Sequence, residues 1–383
     1  MTEPGKINED RLFQEFVTLA EIASPSFKER ELADYLCDRL QGLGLAVEED
    51  DTGKVINGST GNLLARLPGR KDYPPLLFVC HMDTVTPADG VRVTFEKGVF
   101  RSQGDTVLGG DDKAGIASLI EVLEMIREGA APCRPLEILL TVGEERGLLG
   151  SKNFDIGRLR SRLGYVLDSN GPPGTIITAA PAQNVLYVTV KGRAAHAGFE
   201  PEKGVNAIKI AGDVISRLRL GRIDEETTSN IGIIEGGKAT NIVPDAVYIQ
   251  GETRSLDRSK LDALTDEIRR EFELIKEIPG ADSEMRVTFE YPEYRLQPQQ
   301  EAVSSAAEAV KRAGLEVRFA TSGGGSDANI LNAAGLPAVN LAMGMQKAHT
   351  TEEFLEFRDL IDVVRILWEI VRADADDFSG EVV

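Results

Sequence analysis

The chain has 383 residues, 42% hydrophobic and 27% charged, with a formal net charge of −19. That length allows two domains of roughly 100–200 residues each in a soluble globular protein, and the acidity argues against a phosphate-backbone binder, which needs clustered Lys and Arg. The opening MTEPGKINEDRLFQEF is polar and acidic where a signal peptide carries an apolar core, and no apolar run approaches the roughly 18–20 residues that span a bilayer, so a cytoplasmic protein without membrane or nucleic-acid partners is expected.

In chain order, the first 40 residues read as two amphipathic helices. In the second, Leu32, Tyr35, Leu36 and Leu40 recur at three- and four-residue intervals before Gly42 and Gly44. Strand-like stretches come next at Gly61–Leu67 and Leu76–Cys80, the latter apolar throughout, as in a strand buried on both faces. Residues 115–128 predict a helix, Leu136–Val142 a strand and Tyr165–Leu167 another. Alternating strands and helices point to an α/β fold with a central, mostly parallel sheet covered on both sides.

From residue 183 the rhythm changes. Val185–Val190 alternates like a half-exposed strand, and Val205–Leu218 predicts a helix with Val205, Ile208, Ile215 and Leu218 on one face. Ile231–Glu235 and Ala246–Glu252 read as strands joined by a turn around Gly236 and Gly237. Ser259–Ile278 predicts a helix with Leu261, Leu264, Ile268, Phe272 and Ile275 in register, and Met285–Tyr291 a final strand. The order β-α-β-β-α-β is ferredoxin-like. A small α+β domain over 183–293 is therefore expected inside a larger, discontinuous one formed by 1–182 and 294–383. The acidic tail ADADDFSGEVV is expected to fray.

Cys37, Cys80 and Cys133 are odd in number and lack CxxC spacing, which suits a reducing compartment and not a thiolate zinc site. Three histidines occur, His81, His196 and His349, so any imidazole chemistry comes from these. Acidic and histidine clusters lie just beyond the predicted strands, where open α/β sheets bind ligands. In CHMDT, Asp83 sits two residues beyond His81, on the same side of an extended segment, placed to accept the second ring N–H; a plain strand-end pair fits equally. GGDDKAG places Asp111 and Asp112 before a helix, either as oxygen donors or as a capped turn. In GEERG, extended neighbours Glu144 and Glu145 point to opposite sides, which suits one ligand and one base, or simply a solvated loop. Asp168 in LDSNG is another strand-end carboxylate in ordinary turn chemistry. His349 precedes an expected helix whose start would have Thr350 and Glu353 at capping-box spacing.

Taken in order, HMDT, GGDDKAG, GEERG, LDSNG, GRAAHAGFEPEKGVNAI, ATNIVPD, TSGGGSDAN and KAHTTEE run from residue 81 to 353. As a set they resemble the M20 family of metallopeptidases and amidohydrolases, in its peptidase T-like, tripeptidase-like branch. The resemblance implies two zinc ions, with cobalt or manganese as substitutes. It places His81 and Asp168 on one ion, Glu145 and His349 on the other, and Asp111 between them, with Asp83 orienting His81. Glu144 becomes the general base that activates a zinc-bridging water. A cis peptide bond between Asp111 and Asp112 is implied as well. Two dications against Asp111, Glu145, Asp168 and a hydroxide leave the cluster neutral, which favours ionised water near neutral pH.

The inserted domain becomes a lid that also dimerises. There His196 stabilises the oxyanion or contacts substrate, Asn241 and Arg254 hold the substrate, and Gly323, Gly324 and Gly325 form a wall of backbone donors. The implied activity is hydrolysis of peptide bonds in small peptides. Asp168, where deacylases and carboxypeptidases of the family tend to carry Glu, leans it toward an aminopeptidase or tripeptidase. The alternatives are an N-acyl-amino-acid amidohydrolase or carboxypeptidase, and, from another class, a non-catalytic binding module, against which the intact Glu144 and ligand set argue.

Overall fold

The computed structural model describes residues 6–129 and 133–372, and the acidic tail lies outside them. The described chain divides into two units. One comprises residues up to Thr178, Leu296–Thr321 and the chain from Ser326; the other comprises Ala179–Arg295 with the short piece Ser322–Gly325.

The first unit is built on a nine-stranded mixed sheet. Its four central strands, Leu136–Thr141, Leu76–His81, Gly164–Ser169 and Ala338–Ala342, run parallel. Leu63–Leu67 and Ala46–Glu49 extend one side antiparallel, and Thr175–Ala180 extends the other. Leu76–His81 and Leu136–Thr141 are buried at every residue, which explains their unbroken apolar character: helices cover both faces. Glu9–Glu21 and Phe357–Val371 both pack on the long helix Gly110–Arg127. That helix starts five residues before its predicted apolar run, through a bend at Asp111 and Asp112, whose peptide bond is cis.

A three-stranded sheet of Val93–Glu96, Val99–Ser102 and Phe354–Glu356 stands apart from the main one. The rings of Phe13, Phe95, Phe100 and Phe357 pack together beside it. The segment after His349 is thus a strand, and the helix expected at Thr350 starts only at Phe357.

In the second unit a five-stranded antiparallel sheet orders Gly221–Arg222, Thr227–Gly236, Ala246–Ser255, Ala182–Lys191 and Asp282–Tyr291. Leaving aside the two-residue edge strand, this is the expected ferredoxin-like arrangement. Helices Ala207–Ile215 and Arg258–Glu273 supply its core. The second buries Leu261, Leu264, Ile268 and Phe272 as predicted. The first packs Val205, Ile215 and Leu218 of the predicted stripe partly buried against that core, but not Ile208. It starts at Ala207, capped by Asn206, and turns Ala207, Ile210, Ala211 and Val214 inward, leaving Ile208 44% exposed. Nor do the two central strands meet in a tight turn. Nine residues, 237–245, connect them and carry Asn241.

Candidate metal centre

The parallel strands deliver the acidic and histidine residues to one end of the sheet, because each cluster lies at its strand's carboxyl end. His81 is the last residue of Leu76–His81. Glu144 and Glu145 come just after Leu136–Thr141, and Asp168 lies near the end of Gly164–Ser169. Asp111 enters from the bent start of its helix and His349 from the loop before Phe354.

The five side chains meet through Asp111. Its Oδ1 lies 3.0 Å from His81 Nε2, and its Oδ2 lies 3.2 Å from His349 Nε2. Asp168 Oδ1 stands 3.6 Å from the same His81 nitrogen, and Glu145 Oε1 stands 2.9 Å from that of His349. Donor atoms of His81, Asp111 and Glu145 lie within 4.8 Å of one another. His349 adopts φ +65°, in the left-handed region uncommon for a residue with a side chain, and this conformation turns with its loop toward the cluster.

Partners behind these groups hold them in place. His81 Nδ1 lies 2.8 Å from the backbone oxygen of Asp83 and 3.5 Å from its carboxylate, so the carbonyl is the nearer acceptor. The Asp83 carboxylate instead accepts the N–H groups of Glu144 and Glu145, at 2.9 and 3.2 Å, and the Ser26 hydroxyl at 2.7 Å. These N–H groups are adjacent because Glu144–Arg146 is a turn of 3-10 helix and not the extended segment expected. Gly143 opens that turn at φ +59° and donates its N–H to Glu29 Oε1, 3.1 Å away.

Glu353, expected to cap a helix, is buried and does something else. It accepts the N–H of Gly109 at 2.8 Å and of Asp111 at 3.1 Å, tying the His349 loop to the Asp111 bend. Its replacement by Ala strands two buried donors at about 1–3 kcal/mol each, and metal affinity should fall by roughly 10–100-fold. Metal titration and thermal unfolding read both; unchanged metal affinity would refute the tie. Asp112 is likewise buried and holds the His81 N–H at 3.1 Å, and buried Asp327 accepts the Thr141 hydroxyl at 2.6 Å. Glu353 and Asp327 fall inside the motifs KAHTTEE and TSGGGSDAN, whereas nothing in the spacing marks Glu29.

The electrostatics are those of an anion cluster with a cation to hold. Burial, reinforced by Asp111, pushes Asp168 up to about 8, and burial with Asp168 raises Glu144 well above the carboxylate range. Contacts with Asp111 and Glu145 push His349 up to about 10. Burial opposes a charged His81, but Asp111, Asp168 and Asp83 outweigh it. Without a cation the cluster lowers its charge by binding protons, and its nitrogen and oxygen donors suit a borderline divalent metal. The residues present therefore fit the group that the motifs imply.

Glu29 reports the same crowding from outside the donor set. Burial and then the charge of Asp83 raise it to about 7, from 4.5 for the free group. The folded state thus holds this proton more tightly, so its stabilising contribution is full below pH 4.5 and lost by about pH 7. Relative to the parent, Glu29→Gln should gain up to about 3 kcal/mol across that window. Urea unfolding over a pH series tests this, and a flat difference would sink it.

Known proteins place this architecture. The residues 62–185 match the model of Peptidase family M28, and 186–277 match that of the Peptidase dimerisation domain. The chain is 40% identical to the uncharacterized protein YqjE of Bacillus subtilis, over 96% of this chain and 100% of that one. It is also 40% identical to the aminopeptidase PepT of Bacillus cereus, with a TM-score of 0.86 and coverage of 95% and 98%. The chain belongs to the M20 metallopeptidases, in the peptidase T-like branch. A tripeptidase from Staphylococcus aureus shares 37% identity with this M20 peptidase, at a TM-score of 0.91 and coverage of 96% and 99%. Membership makes the chain a metal-dependent hydrolase of peptide bonds.

The remaining expected residues of the M20 peptidase lie in the second unit. His196 Nδ1 accepts the N–H groups of Gly198 and Phe199, both at 3.1 Å, which leaves Nε2 to carry the proton of a neutral ring. Asn241 is exposed in the 237–245 connection and accepts the Ala197 N–H through its backbone oxygen. Arg254, expected to clamp a substrate carboxylate, directs Nε and Nη2 onto Glu252 at 3.0 and 2.9 Å. The N–H groups of Gly324 and Gly325, expected in the donor wall, go to the hydroxyls of Ser322 and Tyr291, each at 3.0 Å. Among the described residues, no helix is long and apolar enough to cross a membrane.

Proposed function

We propose that the chain is a cytoplasmic di-zinc aminopeptidase acting on small peptides, tripeptides among them. One observation carries this: the Asp111 carboxylate presents one oxygen to His81 and the other to His349. Each pair has its own second carboxylate, Asp168 for His81 and Glu145 for His349. These residues would hold two cations, His81 with Asp168 and His349 with Glu145, and Asp111 would serve both. Bound there, the metals supply Lewis acidity and a nucleophilic water. Glu144 would act as the base, accepting a proton from the attacking water and returning it to the leaving amine. Its buried carboxylate has the raised proton affinity this exchange needs. Asp83 and Glu29 hold the Glu144 turn.

Dimerisation through the second unit belongs to the same proposal. Its strand Thr227–Gly236 is paired at its outer edge only at Thr228 and Ser229. Beyond them Ile233 and Ile234 are about half exposed, an apolar edge that a second copy would cover.

Metal analysis together with a peptide panel tests the function. Free tripeptides and dipeptides should be cleaved, with about two zinc ions per chain; N-acylated amino acids and N-blocked peptides should be left intact. Cleavage of the blocked compounds in preference to the free ones would replace this proposal with an amidohydrolase or carboxypeptidase.

A further inference from the structure

Strand Ala246–Ser255 of the second unit turns alternate residues to opposite faces of its sheet. Thr253 and Ser255 are buried on one face, where the Thr253 hydroxyl meets that of Thr265, on helix Arg258–Glu273, at 2.8 Å. Glu252 and Arg254 therefore lie side by side on the face that this helix leaves uncovered. Their side chains stay 32% and 25% accessible.

The contacts of Arg254 use only part of its guanidinium. Nε and Nη2 donate as a fork to the two oxygens of Glu252, at 3.0 and 2.9 Å. The Glu252 oxygen that takes Nη2 also accepts Nε2 of Gln183, at 2.6 Å, and Gln183 stands directly across from Arg254 on strand Ala182–Lys191. A longer bond runs from Nη1 to the backbone oxygen of Gly323, at 3.3 Å. A guanidinium carries five N–H groups, so one on Nη1 and one on Nη2 have no partner among the described residues. Gly324 leaves room beside them, since a Cβ there would stand 3.3 Å from Nη1. The loop that carries it is fixed, because Gly324 donates its N–H to the Ser322 hydroxyl and Gly325 donates to that of Tyr291, each at 3.0 Å. Two N–H groups on neighbouring nitrogens of a planar cation match the two oxygens of a carboxylate.

Resting on the reading of the chain as a hydrolase of small peptides, we propose that Glu252 is a positioning residue for substrate selection. It fixes Arg254 so that the free N–H groups of Nη1 and Nη2 receive the C-terminal carboxylate of the peptide. Glu252 itself does not touch the peptide. Its fork orders a long, flexible side chain before the ligand arrives, so binding does not have to supply that entropy. The chain then selects peptides with a free C-terminus over those whose C-terminus is blocked.

Trialanine and trialanine amide differ only at that carboxylate, and their KM values on the metal-loaded protein test the proposal. In the parent, KM for the amide should exceed that for the acid by at least about tenfold. Arg254→Ala should erase this difference. Glu252→Ala should raise KM for trialanine by up to about tenfold and leave KM for the amide and both kcat values as in the parent. Gly324→Ala, which crowds Nη1, should act in the same direction. In the Arg254→Ala background, Glu252→Ala should change nothing further. A KM for trialanine that stays the same or falls in Glu252→Ala would overturn the proposal, as would an equal rise for acid and amide. A parent that cleaves neither peptide refutes the hydrolase reading instead, and calorimetric Kd values for the two peptides then replace KM under the same criteria. A parent that binds neither overturns both.

Discussion

Glu144→Ala should lose about 10²–10⁴ of kcat while keeping its metal. The carboxylate is buried, and its contacts set it apart from the donor set: the two histidines meet Asp111, Asp168 and Glu145. Its backbone N–H is held by Asp83, so truncating the side chain leaves the turn in place. What disappears is a buried carboxylate near Asp168 with a strongly raised proton affinity. Metal content by elemental analysis and kcat on a tripeptide are the two readouts. A variant that keeps more than about a tenth of parental kcat has another base. One that loses metal along with turnover has lost a ligand instead.

The second large effect is expected at Asp111. Asp111→Asn preserves shape but removes the charge shared by both histidines, whose contacts hold this carboxylate below the usual range despite its burial. Both metals should therefore be lost together, and affinity should fall further than the roughly 10–100-fold expected of an outer partner such as Glu353. Asp168→Asn should weaken one metal more than the other, because of the two histidines Asp168 meets His81. Stepwise metal titration separates the cases. Equal behaviour of Asp111→Asn and Asp168→Asn would remove the bridge from the proposal.

The strand-end residues are legible in the sequence because their cause is local. A run such as Leu76–Cys80 must be a buried strand, and the residues just after it must emerge at the sheet's end. His81, Glu144, Glu145 and Asp168 can therefore be placed by counting along the chain. The long helix Arg258–Glu273 is legible for a similar reason, as its apolar stripe Leu261, Leu264, Ile268 and Phe272 keeps one register along the helix. The helix Ala207–Ile215 is not. It is short, and its small inward residues Ala207 and Ala211 carry a weaker signal than Ile208, which faces out. Glu353 reads wrongly as a cap because its spacing from Thr350 is local, while its partners at Gly109 and Asp111 lie 244 and 242 residues away.

An α/β sheet with acidic and histidine residues at its strand ends and a ferredoxin-like insertion were legible in the sequence alone, whereas grouping His81, Asp111, Glu145, Asp168 and His349 rested on the family resemblance. Periodicity and strand-end position are properties of neighbouring residues. Tertiary structure alone decided how Asp111 divides its two oxygens between His81 and His349. It also decided that the Asp83 carboxylate holds the Glu144 turn while its backbone oxygen meets the imidazole, and that Glu29 and Glu353 are buried acceptors. The reason is the same in each case: a buried N–H must find an acceptor, and where that acceptor comes from depends on which distant segments the fold brings together.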